Sequence, residues 1–219
     1  MTSEKNRSES DRKKAIKLAI TGGIASGKSL VGNYLETQDI PVIDADHVVH
    51  TLLKTDAELK QAIVSHFGKT VLHTETGTIN RQALGQWVFE KPDDKSLLES
   101  WIHPKTRKAI TQFYQQYCYH KPVVACLIPL LFESGIEDQY DAVWLIETPV
   151  PLQIKRLTET RQLSEEAAMA RIKSQMPLEK KQARLMRCNQ GMRFENDGSI
   201  ETLHEKARLT LAKLITDHG

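Results

Sequence analysis

Two hydrophobic patterns alternate along the chain. Short, nearly all-apolar runs lie at 15–21, 40–43, 122–128 and 142–146. Runs of that length, bounded by Gly, Pro or acidic residues, predict strands buried on both faces of a parallel sheet. Elsewhere the apolar positions recur every three or four residues. Val31, Tyr34 and Leu35 predict a helix over 29–36, and Ala57 to Phe67 predicts one that closes at Gly68. Asn80 is placed as the cap of a helix over 81–89. A further helix runs from Asp93 to Ile102, and Pro104 restarts it as a first-turn proline. Pro149 and Pro151 open a helix carrying Ile154 and Leu157. Ser164 starts the next, with Glu165 and Glu166 at the positive end of its dipole. Ser199 caps a last amphipathic helix, with Ile200, Leu203, Leu211 and Leu214 on one face.

Strands alternating with helices predict an α/β fold built on a doubly wound parallel sheet. Residues 55–119 hold no strand of comparable strength and read as a helical insertion on a core formed by 15–54 and 120–219. Residues 1–14 are dense in Lys, Arg, Glu and Ser, with no apolar run. They read as a disordered tail and not as a signal peptide.

Composition narrows the function by exclusion. The 30 basic and 28 acidic side chains nearly cancel, leaving +2, which implies no broad surface for nucleic acid or membrane. No apolar stretch approaches the roughly 20 residues needed to span a bilayer, so a cytoplasmic protein is expected. Cys118, Cys126 and Cys188 form no CxxC pair; reduced thiols are expected, not disulfides or a zinc ribbon.

The chemistry begins where the first strand ends. Gly22-Gly23-Ile24-Ala25-Ser26-Gly27-Lys28-Ser29 fits G-x-x-x-x-G-K-[ST] between a strand and a helix. Glycines let the backbone curl so that successive N–H groups face a phosphate, and the helix beginning near Lys28 aims its positive end at the same anion. Lys28 can reach the β- and γ-phosphates of ATP, and the Ser29 hydroxyl can ligate Mg²⁺. No glycine has Asp three residues before it and no Asn precedes a Lys, so the switch and base-reading motifs of GTPases are missing. Glu147, ending the 142–146 strand, reads as a surface acid and not as the Mg²⁺-binding acid of a motor ATPase. What remains is a small-molecule kinase. Asp44-Ala45-Asp46 ends the second strand, where a doubly wound sheet opens its ligand crevice. Either carboxylate could orient an acceptor hydroxyl and take its proton, or merely cap the next helix.

The ordered set of Thr21 to Ser29, Ile40 to Asp46, Ile102-His103-Pro104, Pro129 to Glu133, Arg156-Leu157 with Arg161, and Leu163 through Arg171-Ile172 to Gln175 resembles the dephospho-CoA kinase family. The likeness extends from about Ala15 to Arg184. It implies ATP-dependent phosphorylation of the ribose 3′-hydroxyl of dephospho-CoA, the last step of coenzyme A synthesis. It implies an acceptor-binding role for the helical insertion, and a helical lid over about 151–190. It makes Asp46 the base, with Lys28 as its catalytic partner and Asp44 beside it. ATP falls to Gly22 through Ser29, Leu30, the lid arginines Arg156 and Arg161, and Asn196. The acceptor falls to Asp44, His103, Arg107 and Glu133; His103 could equally cap a helix turn. The expected assembly is a monomer or small homo-oligomer. The chain departs from the family at Leu30, where Thr is usual, and over 185–195, which is longer and more basic, so an altered edge strand is expected there. Another P-loop kinase, acting on a nucleoside monophosphate or a sugar, and a non-catalytic ATP-binding regulator are the alternatives.

Overall fold

The computed structural model describes residues 13–218. Of the expected tail, only Lys13 and Lys14 fall within them. In chain order the elements are β1 (Ile16–Gly22), α1 (Lys28–Thr37), β2 (Val42–Asp44), α2 (Ala45–Thr55), α3 (Ala57–Phe67), α4 (Arg81–Glu90), α5 (Pro92–Tyr117), β3 (Val123–Leu127), α6 (Leu131–Ser134), β4 (Ala142–Glu147), α7 (Val150–Arg161), α8 (Glu165–Lys173), α9 (Leu178–Leu185), β5 (Gly191–Glu195) and α10 (Ile200–His218). They form two compact units. One runs to Asp44 and resumes at Tyr114; the other is Ala45–Phe113.

The first unit is built on a parallel sheet ordered β2-β3-β1-β4-β5. Leu18 of β1 stands in register with Ala125 on one side and Ala142 on the other. Parallel neighbours need crossover connections, and the helices that supply them cover the faces. The middle strands β1, β3 and β4 are therefore buried almost throughout, as their unbroken apolar runs require. α1 brings Val31 and Leu35 to the core, and α10 brings Leu203, Ala207, Leu211 and Leu214. Ile200, expected on that same face, is exposed. It is the first residue of α10, where Ser199 Oγ accepts the Thr202 N–H at 3.2 Å, and the buried stripe begins a turn later. Trp144 is wholly buried, its ring centroid 4.8 Å from that of Phe194. That contact ties the edge strand β5 to the centre. Cys126 is buried in the sheet, and burial pushes its thiol up to about 12, so it stays protonated and unreactive.

The basic segment around the edge strand has a structural reason. Lys181 and Arg184 on α9 meet Glu133 and Glu137, with Arg184 Nε donating to Glu137 Oε1 at 2.6 Å. Arg193 on β5 donates twice to Glu147, at 2.8 Å each. Glu147 is thus no surface acid. It is 6% exposed, and Gln182 Nε2 also donates to it at 3.0 Å. The extra cations answer Glu147 at the end of β4 and Glu137 just after α6, both buried, and Glu133 on α6.

The second unit has its own core of Leu53, Leu59, Ile63, Phe67, Val71, Ile79, Leu84, Leu98 and Ile102. Phe67 meets Trp87 and Trp101 edge-on at 6.1 and 6.2 Å. His66 and Trp87 both donate to Asp94, and these hydrogen bonds hold its carboxyl below the usual range. Asp56 caps α3 by accepting the Leu59 N–H at 2.8 Å, and Asn80 caps α4. Leu72 and Ile79 form an isolated antiparallel bridge.

The break expected at His103-Pro104 does not occur. α5 is continuous, with Pro104 inside it. Its buried residues Leu98, Ile102, Thr106 and Ile110 fall every four positions across the proline, so packing favours an unbroken helix. Ser100 and Pro104 are exposed, so the carbonyl that Pro104 cannot reach lies on a solvated face. His103 therefore has no helix end to cap.

Replacing Trp144 with Ala should lower the unfolding free energy by about 3–5 kcal/mol, through lost transfer energy and a cavity against Phe194. Urea titration checks this, and a loss below about 1 kcal/mol would show that the site collapses around the smaller side chain.

Candidate functional site

The loop from β1 to α1 is shaped by two glycines. Gly22 has φ +153°, and a Cβ there would lie 2.3 Å from the Ile146 carbonyl oxygen. Gly27 has φ +97°, and its Cβ would lie 2.3 Å from Asn196 Nδ2. Any larger residue at either place would displace the strand or the loop. Between them the chain folds on itself, with the Ser26 N–H donating to Gly23 O at 3.2 Å.

Outward-facing carbonyls of the loop are tied down from behind. Asn196 Nδ2 donates to Ser26 O at 2.7 Å, and Thr148 Oγ1 lies 3.1 Å from both Ser26 O and Asn196 O. Arg156 donates from Nη1 to Ala25 O at 3.1 Å and from Nη2 to Asn196 Oδ1 at 3.3 Å. A peptide plane whose carbonyl is held on one side presents its N–H on the other. These bonds set the loop's N–H groups for an anion. Lys28 Nζ arches over the loop and donates to Gly22 O at 2.8 Å and Gly23 O at 2.9 Å. Ser29 is exposed in the first turn of α1. The buried Ser26 hydroxyl has no hydrogen-bond partner among the described residues.

One N–H of the cradle is already engaged. Ile24 N donates to Gln175 Oε1 at 2.8 Å. Gln175 sits in the connection between α8 and α9, which is anchored in turn by Glu133. The Glu133 carboxylate accepts the Met176 N–H at 3.0 Å and lies 2.9 Å from Lys181 Nζ, which is 2% exposed. The Lys181 contact is an ion pair whose angles are not those of a hydrogen bond. A cavity of about 590 Å³ opens between this connection and the strand ends, lined by Gly23, Gln153, Gln175, Lys181, Glu195 and Asp197 among others.

The residues marked out by the sequence are thus placed as follows. Gly22 to Leu30, Arg156 and Asn196 converge within the first unit. Asp44 ends β2 in register with Leu127 of β3, at the same carboxyl edge of the sheet from which the loop departs. Glu133 serves the α8–α9 connection. Arg161, five residues beyond Arg156 and on a different side of α7, is exposed. Asp46, His103 and Arg107 belong to the second unit. Asp46 is in the first turn of α2, and His103 and Arg107 stand exposed and four apart on α5. Sequence reasoning passed over Thr148, Gln153 and Lys181, and gave no role to Gln175. The signal available for Thr148 was its place one residue beyond β4. Lys181 carried none, since a lysine in a basic helix reads as solvated. Among the described residues no group of three or more His, Cys, Asp or Glu could hold a metal by itself, and no helix is long and apolar enough to cross a membrane.

Comparison with known proteins agrees with this architecture. The chain matches the dephospho-CoA kinase family over residues 16–201. It is 36% identical over 192 residues to a dephospho-CoA kinase of Thermosynechococcus vestitus, covering 87% of this chain and 91% of that one. Among solved structures, one from Thermus thermophilus superposes with a TM-score of 0.79 at 31% identity, covering 92% of this chain and 99% of that one. The dephospho-CoA kinase from Campylobacter jejuni does so with 0.68 at 28% identity, covering 93% and 98%. A cradle for terminal phosphates, an acid at the end of β2 on the same edge of the sheet and a match running through both units leave one conclusion: the chain belongs to the dephospho-CoA kinase family and is an ATP-dependent kinase.

Proposed function

We propose that the chain transfers the γ-phosphoryl group of ATP to the ribose 3′-hydroxyl of dephospho-CoA, giving coenzyme A and ADP. The observation that carries this reading is the cradle. Its carbonyls are tied back by Asn196, Thr148 and Arg156, and it leaves the same sheet edge as Asp44, the last residue of β2.

The steps follow from what each group can do. ATP enters with its β- and γ-phosphates on the backbone N–H groups of Gly23 to Ser29. Lys28 exchanges the carbonyls of Gly22 and Gly23 for phosphate oxygens, and its charge follows the electrons toward the leaving group. Gln175 must release Ile24 N for that donor to serve the nucleotide. Arg156 keeps the loop in shape through Ala25 O, and Arg161, exposed at the end of α7, is assigned to the nucleotide's charge. Asp46 orients the 3′-hydroxyl and accepts its proton as the oxygen attacks the γ-phosphorus; the bond from that phosphorus to the bridging oxygen breaks, and ADP leaves. Asp44, His103 and Arg107 are assigned to the acceptor side.

The donor set suits Mg²⁺. The Ser29 hydroxyl, exposed in the first turn of α1, is a single hard-oxygen ligand, and Mg²⁺ commonly takes few protein ligands and completes its shell with water and phosphate. When bound, the ion would neutralise charge on the β- and γ-phosphoryl oxygens.

Release of ADP, coupled to a reporter enzyme, tests the activity: dephospho-CoA should stimulate ATP consumption, whereas adenosine, AMP and free sugars should not. Absence of turnover by folded protein overturns the reading. Asp46→Asn should lower kcat by about 10²-fold or more while leaving ATP affinity within about twofold; a near-normal kcat removes Asp46 as the base. Gln175→Ala should tighten ATP binding by about two- to tenfold, the worth of one neutral hydrogen bond that no longer competes for Ile24 N. Calorimetric titration reads this, and weaker binding would mean that Gln175 assists the nucleotide instead.

A further inference from the structure

An acceptor that carries a diphosphate must be held by more than its reacting hydroxyl, and the second unit contains a place for it. Asp46, His50 and Lys54 fall at intervals of four along α2, so they share one helix face, with His50 about 6 Å and Lys54 about 12 Å along the axis from Asp46. Opposite His50 and Lys54 come the Leu72–Ile79 bridge, which carries His73 and Thr78, and the first residues of α4. Together they line an open pocket of about 370 Å³, walled by the exposed His50, Lys54, His73 and Arg81 and by Thr78 among others. No carboxylate lines it.

The charges here are not cancelled within the unit. Arg81 Nη1 donates to His50 Nδ1 at 2.7 Å. A guanidinium can only donate, so Nδ1 is the acceptor and the neutral ring carries its proton on Nε2. Arg81 keeps further N–H groups for a ligand, and His50 gains a donor. No carboxylate is ion-paired with Lys54 or Arg81 among the described residues. The N-terminus of α4 adds its positive dipole end to the same wall. Two permanent cations and two imidazoles around a cavity with no acid form a receptor for a compact polyanion.

Resting on the function proposed above, we infer that this cavity binds the diphosphate of the acceptor. The nucleotide donor has its own phosphate cradle, so the anion meant for this cavity is the other substrate's. The spacing on α2 supports the match: a nucleoside whose 3′-hydroxyl meets Asp46 would carry its 5′-diphosphate further along the same face, toward His50, Lys54 and Arg81. The site thereby reads the class of acceptor, a nucleoside 5′-diphosphate ester, and discriminates against nucleosides without phosphate.

Two measurements test this. In steady-state kinetics, Arg81→Ala and Lys54→Ala should each raise KM for dephospho-CoA about tenfold or more, as loss of one charge-assisted contact does. KM for ATP should stay within about twofold, and Arg81→Lys should recover part of the loss. Imidazole resonances of His50 and His73 in the wild-type protein give the second reading. Inorganic pyrophosphate and dephospho-CoA should both shift them, and adenosine should not. Unchanged KM for dephospho-CoA in both Ala variants overturns the inference, as does a shift of these resonances by ATP but not by dephospho-CoA. Failure of the wild-type enzyme to turn over dephospho-CoA instead overturns the functional reading, and the pyrophosphate shifts then decide the anion site by themselves.

Discussion

The site depends on where a few carbonyl groups point. A polypeptide can cradle a phosphate only if consecutive N–H groups face one way, and each such group forces its own carbonyl to face another. Here Ser26 O and Ala25 O find their partners in Asn196, Thr148 and Arg156. Those donors come from the turn after β5, the residue after β4 and the helix α7. The anion site is therefore held by three distant parts of the chain, and the parallel order β1-β4-β5 is what brings them behind the loop.

The same frame explains why the edge of the sheet is so charged. β5 is short and its residues are mostly exposed, so apolar burial alone gives it little hold beyond Phe194 against Trp144. Arg193 on Glu147 supplies a second attachment that also satisfies a buried carboxylate. Arg184 does likewise for Glu137, and Lys181 sets its buried charge against Glu133. These pairs set the position of α9, and with it the connection bearing Gln175 against Ile24 N. A chain of contacts thus leads from the basic segment of 181–193 to one N–H of the nucleotide loop.

Much of this was legible in the chain. The inner strands β1, β3 and β4 read correctly because a strand buried on both faces has an unbroken apolar signature, whereas β2, expected to be buried on both faces, is a half-buried edge strand; the loop read correctly because Gly22, Gly27 and Lys28 have few other reasons to fall at that spacing. Caps at Asp56 and Asn80 are local chemistry and follow local rules, as Asn80 showed. Pro104 misled because propensity is local while the stripe of Leu98, Ile102, Thr106 and Ile110 that carries the helix through is a tertiary fact. Glu147 misled in the same way: its partner Arg193 is 46 residues away. Gln175 and Lys181 could not be given roles, since nothing in their neighbours reveals which distant backbone group or acid they meet. The cationic cavity of the second unit was hidden for the same reason, because His50, His73 and Arg81 are scattered over three elements.

The central claim is that a phosphoryl group passes from ATP to one particular oxygen. The most direct measurement is the ³¹P spectrum of the product formed from ATP and dephospho-CoA. The account predicts ADP together with a new phosphomonoester coupled to the ribose 3′-proton, with the diphosphate ester unchanged. Inorganic phosphate in place of that monoester, or a phosphoryl group on any other position of the acceptor, would contradict it.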